Sequence, residues 1–242
     1  SAPGMLMSVS RVNESVPLER ARGRVTAEPV RSGMQVPPFA SSAMDGFALR
    51  AADTPGTLPV VARIAAGRPA ERELAAGEAM GIATGGVVPE GADAVIPFEY
   101  VVEHDNTVEV SERVEEGANV RPRGGDVAAG KPVVQAGVRL GPAQLGALAA
   151  AGVVGVACGA RPRAAVLATG TELRRPGEQL EPGEVYEANG LILASQLASA
   201  GAQVERLAAV VDEEDEHRRA LAEGLEHDVL VTSGGVSVGP HD

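Results

Sequence analysis

The sequence is poor in the residue types that define several classes of protein. It contains no tryptophan, and aromatic residues make up only 2% of its 242 positions. Its single cysteine, Cys158, excludes an internal disulfide and is typical of a reducing compartment. A net charge of −12, with Lys131 as the only lysine, leaves no basic stripe to neutralise nucleic-acid phosphates. We therefore expect a folded protein that does not bind nucleic acid.

The chain also lacks long apolar segments. Its longest apolar run, 145–157, is interrupted by glycine and falls short of the ~20 residues that a membrane-spanning helix needs. The N-terminal segment 1–10 shows neither the charged start nor the long apolar core of a secretory leader. These features predict a cytosolic protein without a membrane partner.

A proline-rich stretch, 37–48, carries the first candidate site. Its two prolines fix an extended entry, and Gly46 allows a strand or a ligand to approach closely. Asp45 presents a carboxylate among small residues, which suits a metal or a phosphate ester. The pair Asp45-Gly46 is also typical of a hairpin turn, and this stretch by itself favours the turn. The bulky apolar residues expected to anchor the stretch in a core are Phe39, Met44 and Phe47.

Short apolar runs separated by turn residues follow at 58–64, 79–83, 94–102 and 107–110. Their spacing predicts the strands of a small β-barrel or sandwich. Between them, Thr84-Gly85-Gly86 offers a hydroxyl and exposed amides, which fit an anion-binding nest and a plain glycine turn equally well. The polar segment 121–126 combines two arginines, two glycines and Asp126. It fits a phosphate site, although a solvated linker is the commoner use of such a segment.

Helices are predicted at 15–23 and 143–151, with a strand at 25–30 between them. From Arg163 onward, strands and helices alternate. The predicted strands are 164–168, 204–211 and 229–231, and the predicted helices are 190–200 and 213–226, with Asn189 and Asp212 as N-caps. This alternation is typical of a parallel α/β sheet, which binds ligands at the carboxyl ends of its strands.

Several candidate groups follow those strand ends. The glycine-containing loops 169–172 and 233–242 both begin there, and so does Asp212. Two loops at one sheet edge are stronger evidence for a ligand site than either loop alone. The carboxylates of Glu172, Asp212 and Asp242 suit Mg²⁺ held against a phosphate.

Five motifs occur in order along nearly the whole chain. They are Pro-Pro-Phe-x-x-Ser-Ala-Met-Asp-Gly-Phe-Ala at 37–48, Ala-Thr-Gly-Gly-x-x-Pro-x-Gly-Ala-Asp-Ala-Val at 83–95, Arg-x-x-Gly-x-Asp at 121–126, Thr-Gly-x-Glu-Leu at 169–173 and Ser-Gly-Gly-Val-Ser-Val-Gly-x-x-Asp at 233–242. Together they resemble the molybdopterin molybdenumtransferase family, the bacterial molybdenum-insertion enzymes related to the E domain of gephyrin.

The resemblance implies a multidomain fold of the α/β and β class. A discontinuous, elongated α+β domain would comprise 1–36 and 118–158, and an inserted small β domain would comprise 37–117. A parallel α/β molybdopterin-binding domain would occupy 159–242. This last domain would be incomplete here, because the family's proteins continue beyond the fifth motif.

The resemblance also implies an activity, namely the Mg²⁺-dependent insertion of molybdate into adenylylated molybdopterin with release of AMP. The matching catalytic positions are Asp45, Thr84, Asp126 and Glu172. The matching substrate-binding positions are Thr169, Gly170, Ser233, Gly234, Gly235 and Ser237, and the metal positions are Glu172, Asp212 and Asp242. Independently of the family, several carboxylates facing a pyrophosphate would repel it without a divalent cation. The implied partners are a second copy in a homodimer, molybdopterin adenylyltransferase and molybdoenzymes.

Three other functions stay open. A molybdopterin adenylyltransferase resembles only the last third of the chain, so the module at 37–48 argues against it. A non-catalytic scaffold, as in receptor anchoring by gephyrin, has no need of the acids at the family positions. A phosphate-binding α/β protein of other chemistry is the least specific interpretation.

Overall fold

The computed structural model describes residues 12–208 and 214–234. The strands are β1 (Asn13–Pro17), β2 (Val30–Arg31), β3 (Ser41–Ser42), β4 (Gly46–Leu49), β5 (Gly56–Ile64), β6 (Ala79–Ile82), β7 (Ala94–Pro97), β8 (Val102–His104), β9 (Thr107–Val110), β10 (Val120–Arg121), β11 (Pro132–Val134), β12 (Gly155–Gly159), β13 (Arg163–Ala168), β14 (Leu173–Arg174), β15 (Val185–Tyr186), β16 (Gln203–Arg206) and β17 (Val229–Ser233). The α-helices are α1 (Pro142–Ala150), α2 (Asn189–Ala200) and α3 (Glu214–Gly224), and short 3-10 helices span Leu18–Arg20, Ala51–Asp53 and Phe98–Tyr100. Within the described part of the chain, no helix is long and apolar enough to cross a membrane.

The chain divides into two compact units. The sheet unit comprises Pro17–Arg22 and Glu28–Val156, and the α/β unit comprises Ser1–Val16, Gly23–Ala27 and Ala157–Asp242. The three-domain boundaries expected from the sequence stay a prediction.

The sheet unit contains a six-stranded mixed sheet in the order β7-β4-β6-β5-β9-β8. Strands β5 and β6 run parallel, and the other neighbours are antiparallel. Successive residues of a strand point to opposite faces, so β4 places Phe47 and Leu49 in one hydrophobic core and Ala48 in another. Both faces of the sheet are therefore buried around β4, the strand that contains the end of the first motif.

Two predictions about this unit are wrong. The strand predicted at 94–102 is two strands, because Phe98–Tyr100 forms a 3-10 turn and β7 and β8 lie at opposite edges of the sheet. Pro97 supplies no N–H to continue the ladder at this point. Of the three residues expected to anchor the first motif, Phe47 is fully buried, whereas Phe39 and Met44 are 40% and 41% exposed.

The predicted helix at 15–23 is also wrong for its first part. Ser15 lies within β1, which pairs with β12, and only Leu18–Arg20 is helical, as a 3-10 turn. The β-branched residue Val16 favours the strand and is buried in it. The strand predicted at 25–30 reduces to β2 and a bridge between Thr26 and Cys158. Helix α1, by contrast, matches its prediction within one residue at each end.

The α/β unit contains a three-stranded parallel sheet in the order β16-β13-β17, which confirms the predicted α/β layout. Residues 164–168 of the central strand β13 are all buried, as expected for a strand covered on both faces. Leu167 packs against Ala220 of α3. Strand β16 ends at Arg206, and Asp212, the predicted N-cap of α3, lies outside the described residues.

Asn189 does not cap α2 as predicted. Ala188 occupies the N-cap position, and the carboxylate of Glu187 accepts a hydrogen bond from the Gly190 N–H at 2.5 Å. An acid one residue before the N-cap thus satisfies a free N–H of the first helical turn, the task usually performed by the cap residue itself.

Candidate functional site

The sheet unit brings together the first three motifs. Strand β3 in the first motif pairs antiparallel with β10, which begins the segment 120–126. On its other side, Ser41 forms an antiparallel bridge with Val87, and Ser42 exchanges backbone hydrogen bonds with the Gly85-Gly86 turn. Segments that are far apart in the sequence therefore lie side by side on this short strand.

Asp45 lies where the first two motifs meet. Its Oδ1 accepts a hydrogen bond from the Thr84 backbone N–H at 2.7 Å, and its other oxygen has no hydrogen-bond partner among the described residues. Both Asp45 and Thr84 are exposed. The Ser42 hydroxyl donates to the Met44 carbonyl at 2.6 Å and fixes the turn that presents the acid. The result is an oriented carboxylate with one oxygen open to a ligand.

The hairpin interpretation of Asp45-Gly46 is wrong. A hairpin would pair the strands on either side, but β3 pairs with β10 whereas β4 pairs with β6 and β7. Gly46 is required for another reason: a Cβ at this position would lie 2.0 Å from the Ile96 carbonyl oxygen. The glycine serves the close approach of β7 rather than a turn.

Asp126 is held by its own segment. Its Oδ2 accepts from Arg121 Nη2 at 2.7 Å, and its backbone N–H donates to the Val36 carbonyl at 2.9 Å. Both charged side chains are about half exposed. The ion pair and the backbone hydrogen bond therefore hold the loop 121–126 in place beside β3, so this loop is not a free linker.

In the α/β unit, the loops after β13 and β17 meet. The Thr169 N–H donates to the Ser233 carbonyl at 2.9 Å, and Thr169 is buried. Gly234 follows with φ of 105°, and a Cβ there would lie 2.4 Å from the Thr169 carbonyl oxygen. Only glycine fits this contact without moving the backbone.

Glu172 lies beside the same loop. Its oxygens would be 2.7 and 2.8 Å from a Cβ at Gly170, so the carboxylate packs over that glycine. The side chain is exposed, and neither oxygen has a partner among the described residues. Four other predicted site residues lie outside the described part of the chain: Asp212, Gly235, Ser237 and Asp242.

The described residues contain no group of three or more potential metal ligands. Of the predicted Mg²⁺ ligands, only Glu172 is described, and its unpaired, exposed carboxylate fits such a role. Asp126 fits it less well, because Arg121 already neutralises its charge.

The α/β unit also contains a pocket of about 460 Å³ that the sequence analysis missed. It lies at the carboxyl ends of β13 and β16, beside the start of α2, and apolar and charged residues share its lining. The charged residues are Arg174, Arg175, Glu178, Glu187 and Arg206. None of these charged residues belongs to one of the five motifs, so the available signals were that Arg174 directly follows the fourth motif and that Arg206 lies within the predicted strand 204–211.

Comparison with known proteins gives a consistent assignment. Residues 4–152 match the family described as "MoeA N-terminal region (domain I and II)", and residues 165–242 match "Probable molybdopterin binding domain". The chain belongs to the molybdopterin molybdenumtransferase family, as its motifs indicated.

Named relatives and solved structures agree with this assignment. The chain is 38% identical to "Molybdopterin molybdenumtransferase 2" of Mycobacterium tuberculosis, over 94% of this chain and 58% of that protein. It is 37% identical to the Haemophilus influenzae molybdopterin molybdenumtransferase, over 95% and 58%. A crystal structure of the molybdopterin biosynthesis moeA protein of Pyrococcus horikoshii OT3 matches with a TM-score of 0.85 at 31% identity, over 93% of this chain and 62% of that one. The chain thus spans about 58% of the length of these curated relatives.

Proposed function

We propose that the chain acts in molybdenum cofactor biosynthesis, in the Mg²⁺-dependent insertion of molybdate into adenylylated molybdopterin with release of AMP. The observation that carries this proposal is the Asp45–Thr84 contact. It places an exposed carboxylate with a free oxygen where three separate motifs of the family meet. Relatives that match more than nine-tenths of the chain are named molybdopterin molybdenumtransferases.

Each group has a distinct task in this proposal. Asp45 and Glu172 contribute acids that are free to contact the substrate or its metal, and Thr84 orients Asp45 through its backbone N–H. Asp126 and Arg121 form a neutral pair that fixes the neighbouring loop. The loops of Thr169, Gly170, Ser233 and Gly234, extended by Gly235 and Ser237, bind the substrate through amides and hydroxyls.

The proposed Mg²⁺ ligands are Glu172, Asp212 and Asp242. Bound there, the ion would offset the repulsion between these carboxylates and the anionic substrate and would neutralise charge on the phosphates. Calorimetry with Mg²⁺ tests this assignment, because Glu172→Gln should weaken Mg²⁺ binding in the presence of the adenylylated substrate. Unchanged binding would contradict it.

The proposal includes a homodimer in the cytosol, with molybdopterin adenylyltransferase and molybdoenzymes as transient partners. Light scattering on the purified chain checks the oligomeric state. A monomer across the accessible concentration range would contradict the homodimer without affecting the catalytic assignment.

The deciding experiment measures AMP release from adenylylated molybdopterin in the presence of molybdate and Mg²⁺. Asp45→Asn keeps an oxygen for the Thr84 N–H but removes the charge, so we expect the fold to persist and AMP release to fall by about 10²–10³-fold. Asp53→Asn is the matched control, because Asp53 Oδ2 likewise accepts a backbone hydrogen bond, from Gly77 at 2.7 Å, without belonging to a motif.

Equal activity of Asp45→Asn and Asp53→Asn would contradict the role of Asp45. Formation of adenylylated product from ATP and molybdopterin, without AMP release in the first assay, would instead indicate an adenylyltransferase. Neither reaction, with retained substrate binding, would indicate a scaffold.

A further inference from the structure

The backbone on either side of Glu172 is held by hydrogen bonds, although its carboxylate is not. The Glu172 carbonyl accepts from the Val185 N–H at 2.9 Å, and the Leu173 N–H donates to the Gly170 carbonyl at 3.3 Å. The first of these bonds belongs to the parallel pairing of β14 with β15, which sets Leu173 opposite Val185. Each of these strands has only two residues, so their ladder by itself is a weak restraint.

Arg174 adds a second restraint at the same place. Its Nη1 donates to the Thr171 carbonyl at 2.9 Å and to the Leu173 carbonyl at 2.8 Å. These are the carbonyls of the residues immediately before and after Glu172. Its Nη2 forms an ion pair with Glu184, which directly precedes β15. One guanidinium therefore joins the backbone on both sides of the candidate acid to the neighbouring strand.

Glu184 anchors this contact. Its side chain is 14% exposed, and its Oε2 accepts from the Glu181 N–H at 2.8 Å while its Oε1 pairs with Arg174. Solvent screens such a pair less than it screens the pair of Arg218 with Glu214 on α3, whose side chains are 74% and 78% exposed. The guanidinium of Arg174 is therefore held at a fixed point.

We propose that Arg174, anchored by Glu184, is a positioning residue for Glu172. It fixes the two peptide groups that flank the acid and leaves both carboxylate oxygens without a contact among the described residues. An arginine that paired with the carboxylate itself would neutralise it, as Arg121 does for Asp126. Contact through the flanking carbonyls places the acid and preserves its charge for a ligand.

This inference rests on the proposed function for the role of Glu172 as a Mg²⁺ ligand, and it deepens that function by naming what places the ligand. A loop that is already ordered loses less conformational entropy when the ion binds. Without the guanidinium, that ordering would have to accompany binding. We therefore expect Mg²⁺ affinity to depend on Arg174, although its positive charge cannot contact a cation favourably.

The first test needs neither metal nor substrate. Hydrogen exchange of the Val185 amide, followed by NMR, reports the bond to the Glu172 carbonyl. Arg174→Met keeps an unbranched side chain without donors, and we expect it to quicken this exchange about tenfold. Glu184→Gln should act in the same direction, because it removes the anchor of the guanidinium but can still accept from the Glu181 N–H.

Arg175→Met is the matched control. It removes the same charge one residue further along the chain, but the Arg175 side chain is exposed and makes no hydrogen bond or ion pair among the described residues. Exchange at Val185 should therefore stay unchanged. A faster rate in this control equal to that in Arg174→Met would show that charge, rather than contact with the carbonyls, holds the backbone.

The second test measures Mg²⁺ binding by calorimetry in the presence of the adenylylated substrate. We expect Arg174→Met to bind Mg²⁺ about three- to tenfold more weakly, and Arg175→Met to show no such loss. Loss of a positive charge near the ion would by itself strengthen Mg²⁺ binding. The expected fall thus has the opposite sign to an effect of charge alone.

A double-mutant cycle with Glu172→Gln separates positioning from a general loosening of the α/β unit. If Arg174 acts through Glu172, Arg174→Met should weaken Mg²⁺ binding in the unaltered protein and have little further effect in Glu172→Gln. An equal loss in both backgrounds would overturn the inference. So would unchanged or tighter Mg²⁺ binding in Arg174→Met, or unchanged exchange at Val185 in that variant.

The two proposals fail in different ways. If Glu172→Gln leaves Mg²⁺ binding unchanged, the assignment of Glu172 as a metal ligand is wrong, and the exchange test then decides the positioning role. Faster exchange at Val185 in Arg174→Met alone would support that role, and an unchanged rate would overturn it. If Glu172→Gln weakens Mg²⁺ binding but Arg174→Met does not, the metal assignment stands and the positioning role is wrong.

Discussion

The two units of the molecule hold their candidate acids differently. In the sheet unit, Asp45 accepts a backbone hydrogen bond from Thr84, and Asp126 pairs with Arg121. In the α/β unit, Glu172 packs over Gly170 and has no partner for either oxygen among the described residues. Hydrogen bonds and an ion pair therefore hold the acids of the sheet unit in place, whereas no such contact among the described residues holds the carboxylate of Glu172.

The units also differ in how they bring their motifs together. The sheet unit uses strand pairing, with β3 between β10 and the bridge at Val87. The α/β unit uses the parallel register of β13 and β17, which sets Ala168 opposite Ser233 and leaves the following loops in contact. In both units a glycine permits the closest backbone approach, at Gly46 and at Gly234. Substitution of each glycine therefore separates the contributions of the two units.

The largest effect is expected for Gly46→Ala. The added methyl group would lie 2.0 Å from the Ile96 carbonyl oxygen, a backbone atom of the neighbouring strand β7. We expect the free energy of unfolding to fall by about 3 kcal/mol or more, at the upper end of overpacking effects. Denaturant unfolding measures the loss, and hydrogen exchange by mass spectrometry locates it in the sheet unit.

Gly33→Ala is the control for this change, since a Cβ at Gly33 meets no atom within 4 Å. If both substitutions cost the same, the close approach at β4 does not carry the stability of the sheet unit. Faster exchange in both units would show that they unfold together.

The second effect is expected for Gly234→Ala. Its methyl group would lie 2.4 Å from the Thr169 carbonyl oxygen, and the backbone has φ of 105°, a region that side chains other than glycine rarely adopt. We expect a loss of about 1–3 kcal/mol, since this loop has more freedom to shift than a central strand. Exchange should quicken at Thr169 and Ser233 and stay unchanged in the sheet unit.

Gly159→Ala in the α/β unit is the matched control, because a Cβ at Gly159 has open space. An unaltered Thr169–Ser233 region in Gly234→Ala would mean that the two loops do not depend on each other.

The sequence predicts the α/β unit more accurately than the local details of the sheet unit. The strand at 164–168 is correct because its apolar run is short, bounded by turns and followed by a helical pattern. The split of 94–102 was missed because both halves are apolar, and only the pairing of β7 and β8 with different strands separates them. The pattern of apolar residues predicts which positions are buried, but it does not predict which strand pairs with which.

In the candidate site, too, the sequence does not identify which distant residues come into contact. Motifs identified Asp45 and Thr84, but their hydrogen bond joins positions 39 residues apart and follows only from the fold. Glu187 was missed because Asn189 offers the commoner capping signal, and because the ion pair of Glu187 with Arg206 joins positions 19 residues apart. A side chain whose role depends on a distant partner has no local signature.

A smaller effect of the opposite sign is expected for Gly146→Ala. Gly146 is exposed in the middle of α1, and a Cβ there has no neighbour within 4 Å. Alanine restricts the unfolded chain and favours helix, so the free energy of unfolding should rise by about 0.5–1 kcal/mol. Thermal and denaturant unfolding both measure this gain. A loss of stability would indicate that another surface packs against this face of α1, which a change in oligomeric state would confirm.

The smallest effect at neutral pH, and the only one that depends on pH, involves Cys158 in the α/β unit. Burial raises the pKa of the Cys158 thiol, Arg24 opposes this shift through its positive charge, and Glu14 adds to it. The folded state thus holds the thiol proton more tightly than the unfolded chain does. The stability that depends on this proton is complete below the ordinary thiol pKa and is lost as the pH rises through the raised value.

Cys158→Ala removes the titration of the thiol. The free energy of unfolding of this variant, measured by denaturant unfolding at a series of alkaline pH values, should therefore fall less steeply with pH than that of the unaltered protein. If the free energies of unfolding of the two proteins fall in parallel with pH, the thiol has the same pKa in the folded and unfolded states. If they diverge, hydrogen exchange at high pH should locate the extra loss of stability of the unaltered protein in the α/β unit and show no change in the sheet unit.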